Sequence, residues 1–287
     1  MHLWTVPGPV LGRGPYDEDM TAPALRPTAA FFDLDKTIIA KSSTLAFSKP
    51  FQAGGLISRR AVLRSAYAQF VYLVGGADHD QMEKMRQFMS QLCAGWDVAT
   101  VREIVADTLH NIVDPLVYDE AVSLIEAHRT AGRDVVVVSA SGAEVVEPIA
   151  EMLGADLVIA TRMEIADGKY TGEIAYYAYA EEKARAVREL AEQRGYDLAE
   201  CYAYSDSVTD TPMLEAVGHA FAVNPDRELR KVAAAHDWPV LVFTRPVTLR
   251  GRALPPAGPT LAALAVGGAV AVGGVLWASA RKRRPDA

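Results

Sequence analysis

The stretch FFDLDKTII, residues 31–39, decides the fold, because an apolar run typical of a buried strand ends in two carboxylates. One residue separates Asp33 from Asp35, and alternate residues of a strand lie on the same side. Both carboxylates are therefore expected to face one crevice. Charged groups are rarely buried without a partner, so this pair indicates a bound metal ion. Acids also end strands as turn or cap residues, and the pair alone leaves that alternative open.

Apolar runs and helical stretches alternate from residue 29 to residue 243. Continuous Val, Ile and Phe runs bounded by turns are typical of strands that are covered on both faces. The predicted strands are 29–34, 134–139, 156–160, 201–205, 219–223 and 239–243. The predicted helices are 116–131, 143–153, 180–194, 211–217 and 227–236. The alternation predicts an α/β fold with a doubly wound, parallel, Rossmann-like sheet.

Two segments depart from this alternation. Residues 166–174 (ADGKYTGEI) are predicted to form a hairpin with a Gly turn. Residues 43–115 are rich in Arg, Met and Gln at helical spacing, show no strand pattern and are too long for a loop. They are predicted to form a helical cap inserted after the first strand. The α/β core is then expected to comprise residues 29–42 and 116–247.

Composition limits the classes of function. Half of the 287 residues are hydrophobic, which is typical of a globular protein. The net charge is −7, and residues 248–287 contain six Lys or Arg against one Asp, so residues 1–247 carry −12. An acidic body of this kind argues against a nucleic-acid partner. Cys93 and Cys201 are too few for a disulfide framework or a thiolate metal site, which fits a reducing compartment.

The two ends of the chain differ from the body. Residues 1–28 contain five Pro and three Gly with no apolar periodicity, so they are predicted to be disordered, and they show no secretory signal. Residues 248–260 are predicted to be a linker. Residues 261–280 contain no charged residue, and as a helix they would span roughly 30 Å of hydrocarbon. A basic tail, 281–287, follows.

The apolar segment 261–280 is predicted to be a membrane-anchoring helix, with the catalytic domain in the cytoplasm. Its small residues Ala263, Gly267 and Ala271 recur at the spacing that lets membrane helices approach closely, so helix-mediated self-association is possible. A flexible Ala/Gly tail or a buried helix is the alternative. The basic residues of 281–284 favour the cytoplasmic side of a membrane, where the body is also expected, so the topology stays open.

Polar side chains also follow the second predicted strand. Ligands of open α/β sheets collect outside the carboxyl ends of the strands. Ser139 closes the run VVVVS, and Ser141 follows in the turn before the next helix. Hydroxyls and free backbone N–H groups at a helix start can hold an anion, although the same residues also serve as ordinary helix caps. Lys183, at the start of helix 180–194, is either a solvated cation or a clamp for a phosphate.

The strand 201–205 is followed by two more acids, Asp206 and Asp210. This pair could also cap a helix. Four acids at two strand ends would nevertheless repel each other strongly without a cation. The combination therefore predicts a cation site formed by both strand ends.

The order of these motifs resembles the haloacid dehalogenase superfamily. The motifs are D-x-D-x-T at 33–37, an apolar strand ending in Ser139, then Lys183, then D-x-x-x-D at 206–210. YSDSVTDTPMLEAVG and AVNPD, together with the helical insert, resemble its phosphoserine-phosphatase-like subfamily IB. The resemblance extends over residues 29–243. It implies a Mg²⁺-dependent phosphomonoester phosphatase.

The resemblance also implies a role for each residue. Asp33 would be the nucleophile that forms an aspartyl-phosphate, and Asp35 would be the general acid and then the base for water. Ser139 and the backbone N–H of Ala140 would hold the phosphoryl oxygens. Lys183 would neutralise the charge of the phosphoryl group.

The resemblance implies a magnesium site in the same crevice. Asp33, the backbone carbonyl of Asp35 and the carboxylate of Asp206 would be the ligands. Asp210 would support them from behind. An all-oxygen ligand set of this kind suits Mg²⁺.

The sequence indicates the substrate less clearly than it indicates the reaction. Phosphoserine phosphatases typically have Glu nine residues after the nucleophile, whereas this chain has Ser42. Lys36 replaces the usual Ser, and Thr209 stands where Asn is common. Three hypotheses follow: a phosphatase for phosphoserine or a similar small metabolite, a lipid-phosphate phosphatase acting for instance on lysophosphatidic acid, and a catalytically silent membrane adaptor. The retained acids and Lys183 argue against the third.

Overall fold

The computed structural model describes residues 27–57, 90–244 and 246. The predictions for 1–26, 248–260, 261–280 and 281–287, and for part of the cap (58–89), lie outside these residues. Within the described ranges, no helix has the length and apolar character needed to cross a bilayer.

A seven-stranded sheet forms the centre of the molecule, in the order β4-β3-β2-β1-β5-β6-β7. Its strands are β1 (Ala29–Asp33), β2 (Asp134–Gly142), β3 (Leu157–Ala166), β4 (Lys169–Tyr176), β5 (Tyr202–Ser205), β6 (His219–Val223) and β7 (Val240–Leu241). All neighbouring pairs are parallel except β3 and β4. The predicted mostly parallel α/β sheet is therefore confirmed.

The helices begin and end close to the predicted positions in the second half of the chain. They are α1 (Ser43–Ala46), α2 (Ser48–Ala53), α3 (Val98–Ile112), α4 (Asp119–Thr130), α5 (Ala143–Met152), α6 (Glu181–Arg194), α7 (Thr211–Glu215) and α8 (Arg227–Ala235). The predicted helix 116–131 begins later, because a short 3₁₀ helix, Asp114–Leu116, and an extended Val117 precede it. Helix α6 ends at Gly195, which takes the left-handed conformation with φ of 72°.

Both faces of the sheet are covered, as a doubly wound fold requires. Every residue of β1 is buried, and alternation sends Phe31 and Phe32 to opposite faces. Phe32 shares an apolar cluster with α3, α4 and α5. Phe31 shares the other cluster with α6, α7 and α8. This burial on both faces explains why β1 is continuously apolar up to its last residue.

Some strand boundaries differ from prediction. The hairpin is longer than predicted, because β3 and β4 extend on both sides of the turn at Asp167 and Gly168. Strand β2 continues to Gly142, and its pairing with β3 becomes irregular between Ser139 and Gly142. Strand β7 consists of only two residues at the edge of the sheet.

The described part of the predicted cap contacts the core in several places. Helix α3 contacts α5, and the apolar residues Val98, Val101 and Val105 belong to the same cluster as Phe32. The chain before α3 hydrogen-bonds to the hairpin, where Tyr170 exchanges backbone bonds with residues 95 and 96. The division into cap and core remains a prediction.

Candidate active site

The predicted site residues follow three neighbouring strands. In the sheet order, β1 lies between β2 and β5. Asp33 of β1 lies opposite Val138 of β2, and Phe32 lies opposite Tyr204 of β5. Because the three strands are parallel, the residues that follow them meet at one edge of the sheet. Asp33, Ser139 and Asp206 therefore come from adjacent strand ends.

Lys183 joins two of the predicted acids. Its Nζ donates to Asp33 Oδ1 at 2.7 Å and to Asp210 Oδ2 at 2.8 Å. All three side chains are buried, and Lys183 is 3% exposed. The solvated alternative for Lys183 is therefore excluded. Ser205 Oγ also donates to Asp210 Oδ2, at 2.7 Å, so that carboxylate oxygen has two donors.

The site holds more negative charge than Lys183 balances. Burial, opposed by Lys183 and reinforced by Asp210, Asp206 and Asp35, raises the pKa of Asp33 to about 8. Burial likewise raises the pKa of Asp206 to about 7, against the effect of Lys36. Burial alone would lower the pKa of Lys183, but Asp33 and Asp210 outweigh it and raise that pKa. The lysine therefore stays charged, whereas burial and the neighbouring carboxylates disfavour the charged forms of Asp33 and Asp206.

Asp35 is held in a different environment. Its Oδ1 accepts from the backbone N–H of Ser43 at 2.6 Å, and its Oδ2 accepts from Ser141 Oγ at 2.9 Å. Ser43 is the first residue of α1, and Ser141 follows Ser139 on β2. Asp35 therefore contacts both the core and the start of the predicted cap.

The loop that follows β5 carries Asp206 toward the same edge. The carbonyl of Asp206 accepts from the N–H of Asp226 at 2.8 Å, and Asp226 Oδ2 accepts from Val208 N at 3.0 Å. Lys36 Nζ lies 3.8 Å from Asp206 Oδ2. Lys36 takes the left-handed conformation, with φ of 64°, which turns the chain sharply after Asp35.

The predicted phosphate-binding residues lie at the end of β2. Ser139 is buried, and its Oγ accepts from the backbone N–H of Ser141 at 3.1 Å. The carbonyl of Ala140 accepts from Thr161 Oγ1 at 2.7 Å, which fixes the peptide that follows Ala140. These contacts hold the loop in one shape beside Asp33, and the binding of phosphate by Ser139 and Ala140 remains a prediction.

The residues fit the predicted magnesium ion in chemistry. Carboxylate oxygens are the donors that Mg²⁺ prefers, and Asp33 and Asp206 are both buried at the ends of neighbouring strands. Within residues 27–57, 90–244 and 246, no three His, Cys, Asp or Glu side chains form a ready metal site. The predicted ligand set needs only two carboxylates and a carbonyl, because Mg²⁺ usually retains several waters and binds substrate phosphate.

Several contacts were missed by the sequence reasoning. No sequence pattern indicates a role for Ser43 in the site. Its N–H contacts Asp35 because the chain turns into α1 at this point. Ser205 ends the strand CYAYS and could have been noted as a polar strand end. The sequence pattern indicates an anion site or a helix cap for Ser141, whereas its hydroxyl contacts Asp35.

A family model matches the part of the chain that contains these residues. The model of haloacid dehalogenase-like hydrolases matches residues 30–215, which is more than half of the chain. The chain belongs to this family. The match contains every predicted site residue from Asp33 to Asp210, and the predicted class of enzyme, a hydrolase of the phosphatase type, is confirmed.

Several proteins have related sequences, and two of them are named as phosphatases. A probable phosphatase of Mycobacterium tuberculosis is 64% identical over 91% of this chain and 92% of its own. The inhibition of morphological differentiation protein of Streptomyces azureus is 64% identical over 89% of this chain and 94% of its own. A phosphoserine phosphatase of M. tuberculosis is 33% identical over 83% of this chain and 77% of the related sequence.

A solved structure has the same fold. The crystal structure of a protein with unknown function from Bordetella pertussis is 30% identical to this chain, with a TM-score of 0.67. It covers 75% of this chain and 98% of its own length.

Proposed function

We propose that the protein hydrolyses phosphomonoesters through a covalent intermediate on Asp33. The observation that carries this proposal is the buried contact of Lys183 with both Asp33 and Asp210. A buried lysine at this position can bind one oxygen of a phosphoryl group while it keeps the nucleophile in place. Family membership supports the same chemistry.

The proposed reaction has two steps. The carboxylate of Asp33 attacks phosphorus, and the bond from phosphorus to the alcohol oxygen breaks. Protonated Asp35 gives its proton to the leaving alcohol. Water then attacks the phosphorus of the aspartyl-phosphate while Asp35 takes a proton from it, so phosphate leaves and both acids return to their starting forms. One difficult displacement is thereby divided into two easier ones.

The metal would be held by Asp33, Asp206 and the backbone carbonyl of Asp35, with Asp210 behind them. Bound Mg²⁺ would balance the charge of the carboxylates and of the phosphoryl group. Lys183, with its raised pKa, supplies a fixed positive charge beside Asp33.

We infer that phosphoserine or a similar small phosphorylated metabolite is the substrate. The 33% identical phosphoserine phosphatase supports this class. Ser42 nevertheless leaves the substrate ammonium without the Glu that phosphoserine phosphatases typically supply, so a related metabolite without an ammonium group is equally compatible with the sequence.

A lipid phosphate is the second candidate. The uncharged segment 261–280 would hold the enzyme at a membrane, with the catalytic domain in the cytoplasm, close to a substrate such as lysophosphatidic acid. Comparison of kcat/KM for phosphoserine and lysophosphatidic acid in detergent separates the two candidates. Truncation at Pro259 should give a soluble enzyme that remains active on a water-soluble ester. Loss of that activity would contradict a purely anchoring role.

Substitution of the nucleophile tests the proposal. Asp33→Asn keeps the size of the side chain but removes the attacking charge, so phosphate release from a phosphomonoester should fall to background. Release is measured with Mg²⁺ present, beside the wild type and an Asp237→Asn control on the exposed surface. Detectable turnover by Asp33→Asn would remove Asp33 as the nucleophile.

A further inference from the structure

The Ser141 hydroxyl lies against the carboxylate that is assigned to acid–base chemistry. Ser141 Oγ donates to Asp35 Oδ2 at 2.9 Å, while the N–H of Ser43 donates to Asp35 Oδ1 at 2.6 Å. Each oxygen of Asp35 therefore has its own donor, on opposite sides of the group. Two such bonds to a carboxylate restrict its rotation and fix the direction in which it points.

The Ser141 hydroxyl is itself oriented. Ser43 Oγ donates to Ser141 Oγ at 2.8 Å, and Thr44 Oγ1 lies 3.4 Å from the same atom. Since Ser141 Oγ accepts from Ser43, its single proton is directed at Asp35. Ser43 is fully buried and Ser141 is 8% exposed, so water competes little for these bonds.

The three residues come from different parts of the chain. Ser141 follows the phosphate-binding residue Ser139 by two positions on β2, Asp35 follows β1, and Ser43 begins α1. A fixed carboxyl at this junction matters because proton transfer requires hydrogen-bond distance to the leaving oxygen. A displacement of about 1 Å is enough to reduce the rate greatly.

We propose that Ser141 is a positioning residue for acid–base catalysis by Asp35, and that Ser43 orients the Ser141 hydroxyl. The inference rests on the proposed phosphatase function. Ser141 acts through Asp35 and need not touch the substrate. Its removal should therefore reduce proton donation to the leaving group and leave attack by Asp33 intact.

Two substrates with different leaving groups distinguish this role from others. An alkyl phosphomonoester needs a proton on its departing oxygen, whereas the nitrophenolate of p-nitrophenyl phosphate leaves without one. The value of kcat/KM reports the steps up to the aspartyl-phosphate. Ser141→Ala should lower kcat/KM for the alkyl ester by about tenfold or more, and for the aryl ester by less than about threefold.

Matched variants complete the experiment. Ser141→Thr keeps a hydroxyl and should restore most of the alkyl-ester activity, whereas Ser43→Ala should show the same selectivity as Ser141→Ala with a smaller loss. Ser48→Ala is the control, because Ser48 Oγ donates to the carbonyl of Leu45 in the preceding helix α1 and not to the site. Thermal unfolding of each variant shows whether it folds. If Ser141→Ala does not fold, the comparison of the two esters is made with Ser43→Ala.

The outcomes separate the two levels of the proposal. Equal losses on both esters, or no loss on either, would overturn the positioning role while the phosphatase function stands. A wild-type enzyme that hydrolyses neither ester with Mg²⁺ would contradict the proposed function itself, and the positioning role with it.

Discussion

Lys183 determines the charge balance of the site at the scale of single residues. It contacts two carboxylates within 2.8 Å and is almost completely buried. A buried ion pair adds little stability compared with an apolar replacement of the whole group, but the loss of one partner is costly because the other charge remains buried. Lys183 therefore stabilises the folded protein only when Asp33 and Asp210 are present.

Lys183→Met should lower the free energy of unfolding by about 3 kcal/mol at pH 8, because it leaves Asp33 and Asp210 buried without their cation. The cost should shrink at pH 5, because Asp33, whose pKa is raised to about 8, then carries a proton and leaves less uncompensated charge. Urea denaturation at the two pH values measures both effects, and turnover should be lost at either pH.

A surface lysine gives the matched control. Lys231 is exposed and pairs with Glu228 on α8, so Lys231→Met should change the free energy of unfolding by no more than about 0.5 kcal/mol. An equal cost of Lys183→Met at pH 8 and pH 5 would mean that the lost energy comes from packing and not from charge.

At the scale of elements, His128 joins α4 to the sheet. Its Nδ1 accepts from Arg133 Nε at 2.8 Å, so the ring proton lies on Nε2, which is 2.9 Å from the hydroxyl of Tyr204. Phe32 and Tyr202 contact the same ring edge-on. Burial, assisted by the positive charge of Arg133, lowers the pKa of His128 to about 4.

This histidine should make stability depend on pH. The pKa of His128 is about 6.5 in the unfolded chain and lower in the folded protein. Between these two pKa values, the unfolded chain binds a proton at His128 and the folded protein does not. Stability should therefore be complete above about pH 6.5 and fall by about 3 kcal/mol as the pH drops to about 4. Urea denaturation of the wild type and of His128→Gln measures the difference, and identical pH slopes would exclude this assignment.

The turn before β6 depends on a glycine for a steric reason. A Cβ added to Gly218 would lie 1.7 Å from the carbonyl oxygen of Ala199, and the N–H of Gly218 donates to Leu198 O at 2.8 Å. Gly218→Ala should cost about 2 kcal/mol or more, because the backbone of the short 3₁₀ helix Leu198–Glu200 must move.

Gly195 serves as a comparison for that substitution. It has φ of 72°, and nothing lies within 4 Å of an added Cβ. Gly195→Ala should cost only about 1 kcal/mol from backbone strain. Differential scanning calorimetry of both variants ranks the costs, and a larger cost for Gly195→Ala would contradict the steric interpretation.

At the scale of the whole molecule, the fold brings acids from both halves of the chain to one edge of the sheet. If Asp33 and Asp206 share Mg²⁺, the ion should stabilise the folded state by mass action, by about 2.7 kcal/mol at a hundredfold excess over its dissociation constant. Removal of Mg²⁺ with EDTA should lower Tm and abolish turnover. Asp206→Asn should lose most of the Mg²⁺-dependent rise in Tm, and an unchanged rise would place the ion elsewhere.

Much of the fold could be predicted from the sequence, because buried parallel strands require long apolar runs. The run at 135–138 and the strand end at Asp33 are local patterns that can be recognised in the sequence. The length of the hairpin and the brevity of β7 were not predicted, because pairing partners and edge position determine them and not local propensity.

The site could be predicted only in part. Asp33, Asp206 and Lys183 each follow or begin a recognisable element, so their meeting follows from topology. The contact of Ser141 with Asp35 joins residues 106 positions apart. Such a contact depends on rotamers and on the turn into α1, which no local pattern encodes.

The most direct measurement of phosphoryl transfer to Asp33 uses Asp35→Asn with p-nitrophenyl phosphate and Mg²⁺. This variant lacks the base for hydrolysis of the intermediate, while the aryl leaving group needs no acid. We predict a burst of one nitrophenol per enzyme, and mass spectrometry after acid quench should find one phosphoryl group on the peptide that contains Asp33. No burst, or a phosphoryl group on another residue, from a variant whose wild type turns over the same ester would contradict Asp33 as the phosphoryl acceptor.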